Sequence, residues 1–247
     1  WQVESFHWLL DMNYDEDEEV MYVEVYAKQF GWDFRYAGDD NTLGHSNVRF
    51  IEGINTVGVD MSDKNAQDDR MAKELHLPVG KKVVLKIRSQ DVLHSAYFPH
   101  FRAQMNCVPG MVTQFAMVPT VTTAEMRERE SIVDRVNKIN KARMERSAEL
   151  VAKGEEGLGA YTFDYVLLCN KICGRSHYNM QAKVVVETEE EFKKWYNALP
   201  TLGQQVAEEK AANQPVEETP VISTPTENVE ELEVVVDPTA VAAQIAN

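Results

Sequence analysis

The sequence is short of cysteine and of basic residues, and each shortage excludes a class of protein. Three cysteines among 247 residues are an odd number and too few for a disulfide framework. Lysine and arginine number 25 against 40 acidic residues, which gives a formal net charge of -15. Because a nucleic-acid-binding protein normally presents a basic face to phosphates, we predict no nucleic-acid partner. An acidic surface suits a basic protein partner instead.

Long apolar runs are also missing. The longest uncharged stretch, residues 103–124, is interrupted by amides, two prolines and a glycine, so it does not predict a membrane helix. The chain begins at Trp1 without a signal peptide, and we expect that a segment upstream was removed. A C-x2-C-H motif, which would attach a haem c covalently, is absent as well.

The sequence does contain a series of short segments rich in β-branched and aromatic residues. Turn residues such as Pro78, Gly80 and Gly110 separate some of them, which is typical of strands. The pattern predicts an all-β sandwich or barrel over residues 21–199. The strand-like segments are MYVEVYA (21–27), KKVVLKI (81–87), MVTQFAMV (111–118), FDYVLLC (163–169) and AKVVVE (182–187).

Two helices are predicted within this β domain. Residues 122–153 indicate a surface helix inserted between two strands, because Thr122 and Glu125 form a capping-box pair and Gly154 ends the pattern. Residues 188–200 indicate a short helix that closes the domain, with an acidic first turn and an apolar face. The inward-facing residues of that second helix are predicted to be Phe192, Trp195 and Leu199.

The two ends of the chain differ in composition from the domain. Residues 1–20 contain the run DEDEEV and are interpreted as an N-terminal linker. Residues 200–247 are rich in Glu, Pro, Thr, Val and Ala without a usable period, so we predict a disordered acidic tail. Nine carboxylates and one lysine in residues 201–247 account for about half of the net charge. The predicted domain is therefore only moderately acidic.

Four soft metal-binding side chains are concentrated in the segment CNKICGRSHYNM. Cys169, Cys173, His177 and Met180 follow the spacing Cys-x3-Cys-x3-His-x2-Met. Because a strand is predicted on either side, we expect a loop that holds its ligands at one end of the sandwich. Two thiolates, an imidazole and a thioether favour copper over magnesium, calcium or manganese. The best candidate for a further ligand is His94, which follows a predicted strand.

Other interpretations of this segment remain open. A disulfide between Cys169 and Cys173 would leave the histidine and the methionine unexplained. Zinc accepts two thiolates and imidazoles but has little use for methionine. Each cysteine could also be an ordinary small apolar residue of the core.

The combined motifs resemble those of subunit II of the haem-copper cytochrome c oxidases. They are the cysteine segment, DVLHS (91–95), NCVPG (106–110) and the aromatic string AKQFGWDFRY (27–36), and the resemblance covers roughly residues 20–199. It implies a cupredoxin-like Greek-key β-sandwich or barrel that carries a two-copper centre, CuA. In that family the centre accepts electrons from cytochrome c and passes them to the haems of subunit I.

The resemblance implies six copper ligands. They are the side chains of His94, Cys169, Cys173, His177 and Met180 and the backbone carbonyl of Lys171. Both thiolates would bridge the two ions, and each imidazole would bind one of them. The thioether would bind one ion and the carbonyl the other. Such a pair can share one electron with little movement of its ligands.

The sequence departs from the family pattern at several positions. Lys171 stands where the family often has a glutamate that also reaches a magnesium ion, and Asn106 stands where an aspartate is frequent, so we do not predict magnesium. Phe30 takes the place of the tryptophan commonly treated as the electron entry point, and Trp32 matches the second tryptophan. Both are candidate electron-entry residues, and ordinary packing is the alternative. Asp91 is a candidate for orienting the nearby donors.

The function implied by the resemblance is that of an electron-accepting subunit of a proton-pumping terminal oxidase. Oxygen chemistry would take place in subunit I, so this chain alone would catalyse nothing. Its expected partners are subunit I, the other oxidase subunits and a c-type cytochrome. Membrane helices are expected upstream, which would place this soluble portion on the outer, periplasmic-side face of a bacterial inner membrane.

Three other functions share features with this sequence. A copper carrier or chaperone, or a non-oxidase electron-transfer cupredoxin, is the main alternative, although a mononuclear carrier needs only one cysteine. The two-copper domain of nitrous oxide reductase would require a large catalytic domain, for which 247 residues leave no room. Quinol-oxidising relatives of subunit II lack the cysteine pair.

Overall fold

The computed structural model describes residues 20–212; residues 1–19 and 213–247 lie outside the described part. Almost all of the predicted linker (1–20) and most of the predicted tail (200–247) therefore fall outside it. Within residues 20–212, no helix is long and apolar enough to cross a membrane.

The described residues contain ten β-strands arranged in two five-stranded sheets. The strands are β1 (Val20–Lys28), β2 (Gly31–Tyr36), β3 (Arg70–Ala72), β4 (Leu75–Pro78), β5 (Lys82–Ser89), β6 (His94–Phe98), β7 (Ala103–Cys107), β8 (Thr113–Met117), β9 (Tyr165–Cys169) and β10 (Gln181–Glu187). The first sheet has the order β3-β2-β1-β5-β8 and the second has the order β4-β10-β9-β6-β7. Most neighbours are antiparallel, but β1 runs parallel to β5 and β4 parallel to β10.

The sandwich is held together by alternating side chains on its inner faces. In β5, Val83, Leu85 and Ile87 are fully buried in the core, while Lys86 and Arg88 on the other face are partly exposed; Val84, also on that face, is buried. This period of two is what a strand with one face toward a core requires. The predicted all-β sandwich, with its helical insertion and short C-terminal helix, is confirmed.

Four strand ends meet at one end of the second sheet. His94 at the start of β6 lies opposite Cys107 at the end of β7, and Ala96 lies opposite Cys169 at the end of β9. The start of β10 pairs with the end of β9 through Gln181 and Leu168. The segment between β9 and β10 is therefore a loop anchored at both ends, as predicted, and it lies beside His94.

The insertion between β8 and β9 contains two helices where the sequence predicted one. They are α1 (Thr123–Glu128) and α2 (Glu130–Ala152). The capping box of Thr122 and Glu125 is present, and Gly154 with φ +79° follows the end of α2. Extended backbone at Arg129 separates the helices, and no propensity signal marks that break. The end of β8 lies beside the start of β5, because the two strands are antiparallel and Met117 pairs with Val83. The insertion therefore begins at the end of the sandwich opposite the loop between β9 and β10, and the chain returns to the same end to begin β9.

Two helices follow β10, and the second corrects the predicted boundary of the tail. Helix α3 (Glu189–Ala198) is the expected closing helix, and its Phe192 is buried while Trp195 and Leu199 are partly buried. The tail was predicted from residue 200, but Leu202–Ala212 forms helix α4. Leu202 is fully buried in a second apolar cluster with Tyr26, Val57 and Val59, and Val206 packs against it. The prediction failed because α4 has no clear apolar stripe in its sequence.

A buried ionic network lies on the outer side of the first sheet. The guanidinium of Arg35 bonds to Glu24 at 2.7 Å and to Asp69 at 2.8 Å, and these three side chains are almost inaccessible to solvent. Glu24 also pairs with Arg88. Sequence patterning gave no sign of this network, because it joins three distant segments.

Candidate metal centre

Five soft donors form a connected cluster at the end of the sandwich where β6, β9 and β10 meet. The sulfurs of Cys169 and Cys173 are 3.8 Å apart. The Cys169 sulfur lies 3.7 Å from Nδ1 of His94, and the Cys173 sulfur lies 3.6 Å from Nδ1 of His177 and 3.7 Å from the sulfur of Met180. The structure thus brings together residues from two parts of the chain that are 75 positions apart.

The backbone carbonyl of Lys171 belongs to the same cluster. Its oxygen lies 3.2 Å from the Cys169 sulfur. The sulfur pair is therefore flanked on both sides: His94 and this carbonyl lie beside Cys169, and His177 and Met180 lie beside Cys173.

The spacing of the donors fits a metal site. Bonds of about 2.0 Å to nitrogen and about 2.3 Å to sulfur in a tetrahedral site place neighbouring donors about 3.5–3.8 Å apart. The separations between sulfur and nitrogen or sulfur fall in this range, and all three cysteines are free. A disulfide would need the two sulfurs at about 2.05 Å. The donor set is soft, which selects copper or zinc over magnesium and calcium.

His94 is fixed in one orientation by Asp91. The imidazole is fully buried, and its Nε2 lies 2.8 Å from a carboxylate oxygen of Asp91, which leaves Nδ1 to face the sulfurs. A carboxylate behind a metal-binding imidazole fixes its tautomer and raises its basicity. Burial opposes ionisation of Asp91, but hydrogen bonds from Gln29, His94 and Val92 outweigh burial and lower its pKa.

Gln29 joins the two parts of the cluster. Its backbone N–H donates to Asp91 at 2.7 Å, and its side-chain amide donates to the carbonyl of Cys173 at 2.6 Å. One residue at the end of β1 therefore braces both the carboxylate behind His94 and the loop that carries the cysteines. The aromatic string around Gln29 makes its neighbours Phe30 and Trp32 candidates, but the sequence does not predict a role for Gln29 because a neutral amide carries no metal-site signal.

The two candidate electron-entry residues lie in different environments. Trp32 is buried, and its ring meets that of His94 edge-on with centroids 6.4 Å apart. Phe30 is exposed and covers Gly174 so closely that a Cβ at Gly174 would lie 2.9 Å from its ring. Gly174 also has φ +143°, which excludes most other residues there. Phe30 thus lies over the metal-binding loop, and Trp32 lies beneath it.

Without a cation, the thiol of Cys173 favours its protonated form. Burial raises the pKa of Cys173 to about 11, and the neighbouring Cys169 thiol adds to the shift. Burial also raises the pKa of Cys107 to about 12. Cys107 is fully buried and does not belong to the group of His94, Cys169 and Cys173 whose ligand atoms lie within 4.8 Å of one another. Binding of a cation by Cys173 would therefore have to release its proton.

The comparisons with known proteins agree on one family. Residues 21–125 match the model described as cytochrome C oxidase subunit II, periplasmic domain. The alternative cytochrome c oxidase subunit 2 of Bradyrhizobium diazoefficiens is 37% identical over 181 residues, which cover 72% of this chain and 51% of that protein. The cytochrome c oxidase subunit 2 of Alkalihalophilus pseudofirmus is 23% identical over 189 residues, which cover 75% of this chain and 35% of that protein.

Solved structures give a more distant likeness. The crystal structure of the periplasmic domain of subunit II of cytochrome oxidase (CoxB) of Bradyrhizobium japonicum is 15% identical, with a TM-score of 0.39, and the match covers 77% of this chain and 94% of that one. The chain spans about half, or less, of the length of the curated relatives described above. The resemblance predicted from the sequence motifs is confirmed by the family match.

Proposed function

We propose that this chain, whose residues 21–125 match the model described as cytochrome C oxidase subunit II, periplasmic domain, is the electron-accepting part of a respiratory haem-copper oxidase. The observation that carries the proposal is the donor cluster of two sulfurs flanked on each side by an imidazole and one further donor. The relatives named as subunit 2 support the assignment to an oxidase. The chain would belong to an oxidoreductase complex without carrying the oxygen chemistry itself.

The cluster would hold two copper ions as a CuA centre. The proposed ligands are the side chains of His94, Cys169, Cys173, His177 and Met180 and the carbonyl of Lys171. Soft sulfur and imidazole donors are those that copper prefers. When bound, the copper pair would supply an acceptor for one electron at a time.

The protein's own residues would keep that acceptor rigid. The sandwich anchors both ends of the loop from Cys169 to Met180, and the 2.6 Å bond from Gln29 holds its middle. Asp91 holds His94 in one tautomer and orientation. A rigid site has little to rearrange when its charge changes, because its donors are already fixed by packing and hydrogen bonds. Burial of the sulfurs also excludes water from the site.

Electrons would enter from a c-type cytochrome and leave toward the haems of subunit I, in an oxidase that pumps protons. Phe30 at the surface and Trp32 beside His94 are the proposed entry residues. The other proposed partners are the remaining oxidase subunits. The proposed location is the periplasmic-side face of a bacterial inner membrane, to which helices upstream would attach the chain. A copper carrier is the competing function, but the loop is anchored at both ends and its two sulfurs are buried, which favours a resident metal over one that must be released.

The proposal is tested by copper stoichiometry together with reduction by a donor. We expect the copper-loaded chain to bind two copper ions and to be reduced rapidly when mixed with a reduced c-type cytochrome in a stopped-flow experiment. Cys173→Ser should abolish both properties. Cys107→Ala, which removes the cysteine outside the cluster, should preserve both. One copper per chain, or equal behaviour of the two variants, would refute the proposal.

A further inference from the structure

An unusual share of the exposed apolar surface surrounds the metal-binding loop. We define the metal-site rim as residues 29–31, 90–93, 108–112 and 170–179, the segments at the same end of the sandwich as the cluster. Seven of the fourteen large apolar side chains exposed in the described part of the chain lie on it. They are Phe30, Val92, Leu93, Met111, Val112, Ile172 and Tyr178. Such a concentration marks an interaction surface, whereas single exposed apolar residues are ordinary.

Two residues of the rim are exposed more than any other large apolar side chain in the described part. Ile172 is 86% exposed and Tyr178 is 88% exposed. Both belong to the loop that carries the two cysteines, so their projection is fixed by the anchored backbone. Aromatic and aliphatic side chains held rigidly at the centre of a face are the usual anchors of protein interfaces.

The charge of the rim is opposite in sign to that of the protein. The rim contains Lys171 and Arg175, both exposed, and a single carboxylate, Asp91. Asp91 already accepts hydrogen bonds from His94, Gln29 and Val92. Neither Lys171 nor Arg175 forms an ion pair with another residue of the range 20–212. The net charge of -15 is therefore carried elsewhere, and the rim presents two free cations among apolar groups.

We propose that the metal-site rim docks an electron-donor protein whose contact face is apolar and carries carboxylates, rather than a basic face. The inference rests on the proposed function and narrows the partner of that site. At physiological ionic strength charges are screened beyond about 8 Å, so charges on the rim govern a docked complex more than the distant acidic residues do. Charge complementarity across an interface sets the association rate and the choice of partner.

An acidic contact face on the donor is the opposite of the basic partner expected from composition. Net charge alone suggested a basic partner, but that argument assumes that the acidic residues surround the site. Asp33, the carboxylate nearest to the rim along β2, is fully buried and paired with Lys28 and Lys73. It offers no negative charge to a partner.

The test compares one donor in two charge states. The probes are a basic c-type cytochrome and the same cytochrome with its lysines succinylated, which replaces positive charges by carboxylates. The variant is Arg175→Glu, and the control is Lys141→Glu, which makes the same change in net charge on helix α2 at the opposite end of the sandwich. Reduction of the copper-loaded chain is followed at an ionic strength of about 0.1 M, where long-range fields are damped.

Arg175→Glu is expected to slow reduction by the succinylated donor about threefold or more and to accelerate reduction by the unmodified donor, whereas Lys141→Glu changes neither by as much. Binding of each oxidised donor to the metal-free chain, mapped by amide chemical shifts, should perturb residues 170–179. Arg175→Glu should weaken the binding of the succinylated donor and strengthen the binding of the unmodified donor. Because this second measurement needs no copper, it separates failure of the docking inference from failure of the copper assignment. Equal effects of the two variants, or a slower reaction of Arg175→Glu with the basic donor, would overturn the inference.

Discussion

The side-chain amide of Gln29 donates a 2.6 Å hydrogen bond to the carbonyl of Cys173, which lies 144 residues further along the chain. Together with the bond from the Gln29 backbone to Asp91, it connects the two halves of the donor cluster through one residue. Neither half is adjacent to the other in sequence. The rigidity of the site therefore depends on a side chain that is not itself a ligand.

Replacing Gln29 by alanine should loosen the metal-binding loop. Loss of one hydrogen bond of this kind costs about 1 kcal/mol, which corresponds to roughly fivefold faster amide exchange of residues 170–180 if they exchange by local opening. Hydrogen exchange on the metal-free chain measures this directly. Gln205→Ala is the control, because that amide also donates to a backbone carbonyl, at 3.2 Å, but lies on α4. Unchanged exchange in Gln29→Ala would show that the loop is held by other contacts.

Replacing Asp91 by alanine should weaken copper binding. The carboxylate orients His94 through Nε2, and removal of such a partner typically lowers metal affinity about 10–100-fold. Competition with a copper chelator of known affinity measures the change. Asp164→Ala is the control, since that partly exposed carboxylate pairs with Arg127 and lies near the opposite end of the sandwich. Equal affinities for the two variants would mean that packing alone positions His94.

Gly174 should not tolerate even alanine. Its φ of +143° and the 2.9 Å approach of the Phe30 ring both oppose a side chain, and strain of this kind costs about 1–3 kcal/mol. Denaturant unfolding of the metal-free chain measures the loss in the free energy of unfolding. Gly159→Ala is the matched control, because an added Cβ there meets no atom within 4 Å and its φ is not positive. A loss no larger than that of the control would contradict the close packing of Phe30 on the loop.

Because Asp69 is buried, we predict that its contribution to the free energy of unfolding falls as pH rises from 4 to 6. Burial raises its pKa from 3.8 to about 6 even though Arg35 favours the ionised form, and one of its oxygens has no hydrogen-bond partner among the described residues. Between pH 4 and pH 6 the folded state then holds a proton that the unfolded state has lost, so each step up in pH favours unfolding. The shift corresponds to about 3 kcal/mol across this window.

The contribution of Asp69 is isolated by subtraction. The free energy of unfolding of the wild type minus that of Asp69→Asn should decrease as pH rises from 4 to 6 and then stay level. Metal-free protein is used so that copper binding does not add its own pH dependence. A difference that increases with pH would show that the ion pair with Arg35 outweighs burial.

The strands and the ligand loop were predictable because their signals are local. The run in β5 alternates with a period of two, and the four donors between Cys169 and Met180 lie within twelve residues. His94 could be named as a candidate from its position after a predicted strand, but its contact with Cys169 joins segments 75 residues apart and is defined only by the fold. The same reason explains why the bracing role of Gln29 was missed.

Two further features escaped prediction for physical reasons. Helix α4 is stabilised by tertiary packing of Leu202 rather than by an amphipathic pattern that the sequence displays. The basic character of the metal-site rim was hidden by the net charge, because composition does not show where charges lie. Both depend on contacts or positions that only the folded chain defines.

The central claim is that this cluster holds two coppers that share one electron. Electron paramagnetic resonance of the copper-loaded, oxidised chain tests it most directly, because hyperfine coupling reports how many copper nuclei the unpaired electron contacts. The account predicts coupling to two equivalent copper nuclei and its loss in Cys173→Ser. A spectrum of one isolated copper, or a shared-electron spectrum that survives that substitution, would contradict it.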